Sequence, residues 1–224
     1  DSFDGGVFRY VQSDGGNSFG APASFGIGDT RILGVRAPTR WSGYYPVIFQ
    51  GCNFAGELTC TIKYSWWQSP GGWSDSYRID QSDGRNLFEP TVVVGSRAVF
   101  SWKKVTSNDA GAEIWATLCY SSGTCGAPAL VGTAQNYTRD PYTVYDLPSF
   151  DMKANASDDV AVAWVDSDAG IYVARFDSAY DGGSWRPAMR VAAGGAYRVR
   201  VDVTPSGRVV AAWAENNRVM ARWY

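Results

Sequence analysis

The stretch YRVRVDVTPSGRVVAAW, residues 197–213, carries the pattern that decides the fold. Residues alternate in character through 198–203, a Thr-Pro-Ser-Gly turn follows, and a second run of small apolar residues ends on Trp213. Period-two alternation puts one set of side chains on each face of an extended strand, so the stretch reads as an antiparallel hairpin closing on an aromatic residue. The same shape recurs upstream in FDMKANASDDVAVAW (150–164), PTVVVGSRAVFSW (90–102) and, more weakly, PTRWSGYYPVIF (38–49).

Each copy is followed by a polar turn: NFAG (53–56), NDAG (108–111), DSDAG (166–170) and ENN (215–217). A third alternating strand comes next, in LTCTIKY (58–64), IWATLCY (114–120), IYVARF (171–176) and VMARWY (219–224). A short fourth strand follows turns in SDGGNSFGAPA (13–23), SSGTCGAPA (121–129) and YDGGSWRPA (180–188). Four strands recurring every ~50–60 residues predict the blades of a β-propeller, because an ordinary sandwich has no reason to repeat. The expected fold is all-β, with about four to five four-stranded antiparallel blades in a single domain over 1–224. The expected blades are 31–80, 88–135, 147–193 and 196–224, with 1–25 reading as the third and fourth strands of a further one.

The last repeat stops after its third strand, which would leave an open sheet edge. The N-terminal segment is one candidate to cover it, closing the ring by pairing N- and C-terminal strands. Exchange of that strand with a second molecule, or membership in a larger propeller, are the alternatives. The chain begins at Asp1 and shows no signal peptide, which fits processing or trimming.

Composition supports strands. Of 224 residues, 45% are hydrophobic and 15% aromatic, and 25 Gly and 10 Pro supply turns. Net charge is −2 with no Lys/Arg block, so neither nucleic acid nor an anionic membrane is an expected partner. No apolar run reaches the ~18 residues of a membrane helix, so no membrane insertion is expected. The chain contains no histidine, which removes the usual zinc sites and the usual nucleophilic triads. Its four cysteines form two close pairs, Cys52/Cys60 and Cys119/Cys125, expected as two local disulfides in an oxidising compartment.

The fourth-strand turns resemble the Asp-box (BNR) repeat of sialidases and related propellers, written S-x-D-G-G-x-[ST]-W. Asp14, Gly15, Gly16 and Phe19 match it with Phe for Trp, and Asp181, Gly182, Gly183 and Trp185 match after losing one residue. The resemblance implies a structural role for these residues: Asp accepts turn N–H groups, the glycines allow positive φ, and the aromatic packs between sheets. It also implies a peripheral position, away from catalysis. A sialidase would further need an Arg-Ile-Pro motif, and here Arg31-Ile32 is followed by Leu33.

Several residues are candidates for binding. Trp66 and Trp67 are adjacent, so a strand sends them to opposite faces. With Trp73, Tyr77, Trp41, Tyr44 and Tyr45 they form an aromatic concentration suited either to stacking on sugars or to filling a core. Trp102, Trp164 and Trp213 recur in register and are expected in the core. Arg198 and Arg200 share a strand face and either line a central channel or are solvated at a sheet end. Glycosidase chemistry would need two facing carboxylates, with Asp151, Asp202, Glu89 and Glu57 as candidates. No cofactor is expected; the acidic turns at 80–86 and 166–168 could hold Ca²⁺ but read better as plain turns. Asn136 and Asn155 begin glycosylation acceptor triplets.

The expectation is therefore a secreted or cell-surface, lectin-like binding or adhesion module that recognises a glycan or a cell-surface protein. The balance is against an enzyme. The alternatives are an assembly subunit that associates as a homo-oligomer through its terminal strands, and a sialidase-like glycoside hydrolase with an incomplete catalytic set.

Overall fold

The computed structural model describes residues 7–10, 23–26, 31–36, 44–53, 59–68, 72–80, 87–94, 97–105, 111–120, 124–135, 150–166, 168–178 and 183–224. Every regular element among them is a β-strand. β1 (Val7–Tyr10) pairs with β2 (Ala23–Gly26) as an antiparallel hairpin. The second sheet runs β3 (Arg31–Arg36), β4 (Tyr44–Asn53), β5 (Thr59–Gln68) and then two short strands, β6 (Gly72–Trp73) and β7 (Tyr77–Arg78), both on β5. The third is β8 (Leu87–Val94), β9 (Ala98–Val105), β10 (Gly111–Cys119) and β11 (Ala129–Gln135). The fourth is β12 (Phe150–Ala154), β13 (Val160–Val165) and β14 (Ile171–Asp177), with β15 (Ser184–Trp185) and β16 (Met189–Ala192) both on β14. The fifth has three strands, β17 (Ala196–Val203), β18 (Val209–Glu215) and β19 (Arg218–Trp223).

Two details depart from uniform four-stranded units. In the fourth sheet the outer position is split between β15 and β16, and Pro187 between them has no N–H to give a ladder. No ladder joins β1 or β2 to β19 among the described residues: β1 pairs with β2, and β19 has β18 on one side only. Pairing of the N- and C-terminal strands, one of the alternatives for covering that edge, is therefore not seen among the described residues.

The sheets stack through three apolar cores. Ile48, Ile62, Tyr64 and Trp66 of the second sheet meet Phe100, Trp102 and Cys119 of the third. Val99, Ile114 and Val131 on the other face of the third sheet meet Met152, Val162, Trp164 and Phe176. The opposite face of the fourth sheet, with Ala161, Ala163 and Val173, meets Val199, Val201, Val209 and Trp213. Sheets three and four thus bury both faces, which is why β13 reads VAVAWV and is buried at every position. Trp102, Trp164 and Trp213 lie in these cores as expected. The first strands β8, β12 and β17 touch in succession, bringing the leading edges of these sheets together.

Turns tie the same three sheets. The Asn155 side chain accepts from Ser157 N (2.9 Å) and Asp159 N (3.0 Å) and donates to Asp159 Oδ2 (3.0 Å) and Thr204 O (2.9 Å). Asp158, at φ 65°, accepts from Arg97 N at 2.9 Å and pairs with Arg97 Nε at 3.0 Å. The 155–159 turn therefore holds the turn before β9 and the turn after β17. Gly207, at φ 76°, leaves room for this: a Cβ there would lie 2.6 Å from Asp159 Oδ2. Both cysteine pairs form the expected disulfides, Cys52–Cys60 across β4 and β5 and Cys119–Cys125 across an isolated bridge.

Replacing Asn155 with Ala removes the acceptor of the Ser157 and Asp159 N–H groups and the donor to Thr204 O, while the Asp159 carboxylate keeps Ser178 and Arg175. The expected loss is about 2–4 kcal/mol of folding stability, read from urea unfolding against the wild type.

Candidate ligand-binding site

Two features on the described surface are suited to contact a ligand. The first is built on β5 and its short partners. Alternation sends Tyr64 and Trp66 into the core and Trp67 to the other face. Trp66, 4% exposed, packs on Phe100 at 6.0 Å and is a core residue, out of reach of a ligand. Trp67 lies directly across from Trp73, and their half-buried rings meet edge to face at 5.9 Å. Tyr77 is 47% exposed and stacks on Tyr64, with centroids 5.4 Å apart and planes 29° apart. Burial raises the Tyr64 hydroxyl pKa, and the neighbouring Tyr77 adds to the rise. Tyr77 consequently presents a flat ring with a firm backing.

The second feature lies at the β18–β19 turn. Asn216 and Asn217 take φ of 48° and 59°, the two left-handed positions that a two-residue hairpin turn requires and that Asn tolerates. The turn sets Glu215 directly opposite Arg218 and Trp213 opposite Met220. Trp213 donates its indole N–H to Glu215 Oε2 at 2.9 Å, fixing the carboxylate. Glu215, Asn216, Arg218 and Met220 line an open cavity of about 370 Å³. A held carboxylate, an amide, a guanidinium and a thioether together offer acceptors, donors and one apolar surface. These four residues were not legible as a site, because ENN reads simply as a turn; the only signal was a charged residue on each side of it.

The remaining sequence candidates do not join either feature. Arg198 and Arg200 are exposed on the face of β17 opposite Val199 and Val201, and Arg200 Nη1 donates to Val199 O at 3.0 Å. Asp151 Oδ2 accepts from Val201 N at 3.0 Å, linking the fourth sheet to the fifth, and Asp202 Oδ1 accepts from Val203 N at 2.9 Å. Asp80 accepts from the Trp102 indole at 2.9 Å, and Asp168 pairs with Arg190. Asn155 is buried with its amide bonded on both sides, so the folded chain cannot present it for glycosylation. Gly183 has φ 93°, and a Cβ on it would lie 2.8 Å from Phe176, on which Trp185 packs at 5.6 Å. Asp14, Gly15, Gly16, Phe19, Asp181, Gly182, Glu57, Trp41 and Asn136 lie outside the described residues, as do 81–86. No cluster of three metal-ligating side chains and no helix able to cross a membrane occurs among the described residues.

No protein-family model matches this chain, and no curated protein sequence matches it. Among solved structures, it is similar to an α-L-arabinanase of Penicillium chrysogenum complexed with arabinobiose, a β-propeller glycoside hydrolase, with TM-score 0.53. The likeness is one of all-β fold, to an enzyme built as a β-propeller. Identity is 13%, and the likeness covers 87% of this chain and 63% of the arabinanase. The chain thus spans less than two thirds of that enzyme's length. A weaker likeness, with TM-score 0.39 and 11% identity, is to an α-L-arabinofuranosidase from Podospora anserina in complex with cellotriose, over 86% of this chain and 63% of that one. The likeness is to glycoside-hydrolase propellers and does not single out the sialidases.

The last residue behaves as a probe of the fifth sheet. Burial pushes the Tyr224 hydroxyl pKa from 10.0 up to about 12, against an opposing pull from Arg222, and its oxygen has no hydrogen-bond partner among the described residues. An unfolded chain releases this proton near 10.0 and the folded one near 12, so unfolding loses a proton in between and stability falls as pH rises through that window. Tyr224→Phe is expected to reduce that alkaline loss while changing stability at pH 7 by no more than about 1 kcal/mol. Denaturant midpoints measured at neutral and alkaline pH check both.

Proposed function

We propose that this protein is an extracellular carbohydrate-binding propeller that recognises glycans through exposed aromatic surface. The observation that carries the reading is Tyr77, 47% exposed and stacked on Tyr64 with centroids 5.4 Å apart. A flat ring backed by a second ring is well suited to stack on the apolar face of a sugar, because it loses little side-chain entropy on binding. The fold it shares with an arabinanase that binds arabinobiose supports a carbohydrate ligand. Two disulfides support an oxidising, extracellular setting. The Glu215–Arg218 turn offers hydroxyl-bonding groups for a second contact. A binding and adhesion role is preferred because Asp151 and Asp202 each commit an oxygen to a backbone N–H.

Glycoside hydrolysis is the second reading, favoured by the fold of the arabinanase. The sialidase form of that reading rests on the degenerate Asp-box turns alone.

Binding to a broad glycan array is expected, with follow-up titration calorimetry on the best oligosaccharide. Tyr77→Ala is expected to weaken affinity about tenfold, the loss of one aromatic–sugar contact of ~1.4 kcal/mol. A loss confined to Arg218→Ala would move the contact to the β18–β19 turn. Absence of binding across the array overturns the proposal, and turnover of aryl glycosides would replace it with the hydrolase reading.

A further inference from the structure

The two disulfides have different surroundings, and only one of them reaches the surface. Cys52 and Cys60 are 0% and 3% exposed, and the β4–β5 ladder continues past them through the pairs Gly51–Thr61 and Asn53–Thr59. Cys119 is likewise buried, but its partner Cys125 is only partly buried, at the rim of the core shared by the second and third sheets. Around Cys125, residues Thr124, Gly126, Ala127 and Pro128 are all exposed. This hairpin is also held by contacts other than its bridge. Tyr120 N donates to Thr124 O at 2.9 Å on one side of the pair, and Gly126 N donates to Leu118 O at 2.8 Å on the other. Thr117 Oγ1 donates to Gly126 O at 2.7 Å, and the Arg97 guanidinium lies 5.9 Å over the Tyr120 ring. The closed loop is short, with a sequence separation of 6, so opening it returns less chain entropy than a long loop would.

We propose that Cys125 is a site of reversible modification by a low-molecular-weight thiol, through exchange with the Cys119–Cys125 disulfide. The thiolate attacks Sγ of Cys125, the less buried cysteine, and a new S–S bond forms there as the bond to Cys119 breaks. Cys119 leaves with the electron pair and takes up a proton, because a thiolate is disfavoured in an apolar core. A second thiolate then attacks the small-molecule sulfur of this mixed disulfide, releasing the small-molecule disulfide and the Cys125 thiol. Two thiols are thereby oxidised to one disulfide, and the chain gains two electrons and two protons. The hydrogen bonds on either side keep Cys119 and Cys125 facing each other. An excess of the small-molecule disulfide therefore drives the same steps backwards, with an intramolecular attack closing the bridge. This inference is independent of the glycan reading.

The test incubates the folded protein with reduced glutathione, traps free thiols with N-ethylmaleimide at intervals, and maps the peptides by mass spectrometry. A glutathione adduct on Cys125 with a trapped thiol on Cys119 is expected first, followed by trapped thiols at both positions. Cys52–Cys60 is expected to open at least about tenfold more slowly, since both of its sulfurs are buried. Circular dichroism of the protein opened at 119 and 125 should match that of the oxidised form, and oxidised glutathione should then leave no thiol to titrate. The double variant Cys119→Ala/Cys125→Ala should fold and take up no glutathione. Opening of Cys52–Cys60 at an equal or greater rate, an adduct on Cys119 in place of Cys125, or no opening short of unfolding each overturns the proposal. So does loss of the folded spectrum when the 119–125 bridge alone is opened.

Discussion

The structure depends on burying both faces of its middle sheets. Each strand of a sheet has two side-chain sets, and when both must leave water the sheet needs a neighbour on each side. The β9 strand meets this by sending Phe100 and Trp102 toward the second sheet and Val99 toward the fourth. β13 does the same with Val162 and Trp164 on one side and Ala161 and Ala163 on the other. On β13, Ala161, Ala163 and Val165 face the fifth sheet and Val160, Val162 and Trp164 the third. Gly132 shows how close the fit is: a Cβ there would fall 2.5 Å from the Trp164 ring.

Stacking apolar faces alone leaves the relative position of sheets poorly specified, since apolar contact has little directionality. Polar turns supply the direction. The 155–159 turn holds Arg97 on one side and Thr204 on the other, and the Asp151–Val201 hydrogen bond adds a second link between the fourth and fifth sheets. These carboxylates and amides are spent on architecture. That distribution explains why Asp151 and Asp202, which look catalytic in a list of side chains, have fixed backbone partners here.

What the middle sheets use for packing, the outer features leave open. On the second sheet Trp67 and Trp73 lie on the face away from Tyr64 and Trp66, and Tyr77 stacks on Tyr64 at the exposed margin of the core. Among the described residues the fifth sheet meets the fourth on one face, and no strand pairs with the β19 edge. Face-to-face packing of the sheets thus separates the described residues into a closed interior and outer faces that meet no other sheet.

The all-β character, the core tryptophans and the disulfide pairing were readable from residues alone. Period-two alternation is a local property, visible at Trp102, Trp164 and Trp213, and Cys52 and Cys60 lie close enough in sequence to face each other across one hairpin. Alternation also said that Trp66 and Trp67 point opposite ways. It could not say which is buried, because that depends on Phe100, some 34 residues on in the chain and in a different sheet. The same limit applies to Arg198 and Arg200, whose face is exposed only because Val199 and Val201 take the core. The cavity beside Glu215 depends on the β18–β19 register, which sets Glu215 opposite Arg218. Pattern within a strand is set by neighbours in sequence, whereas burial, register and open edges are set by neighbours in space, and only the tertiary structure brings those together.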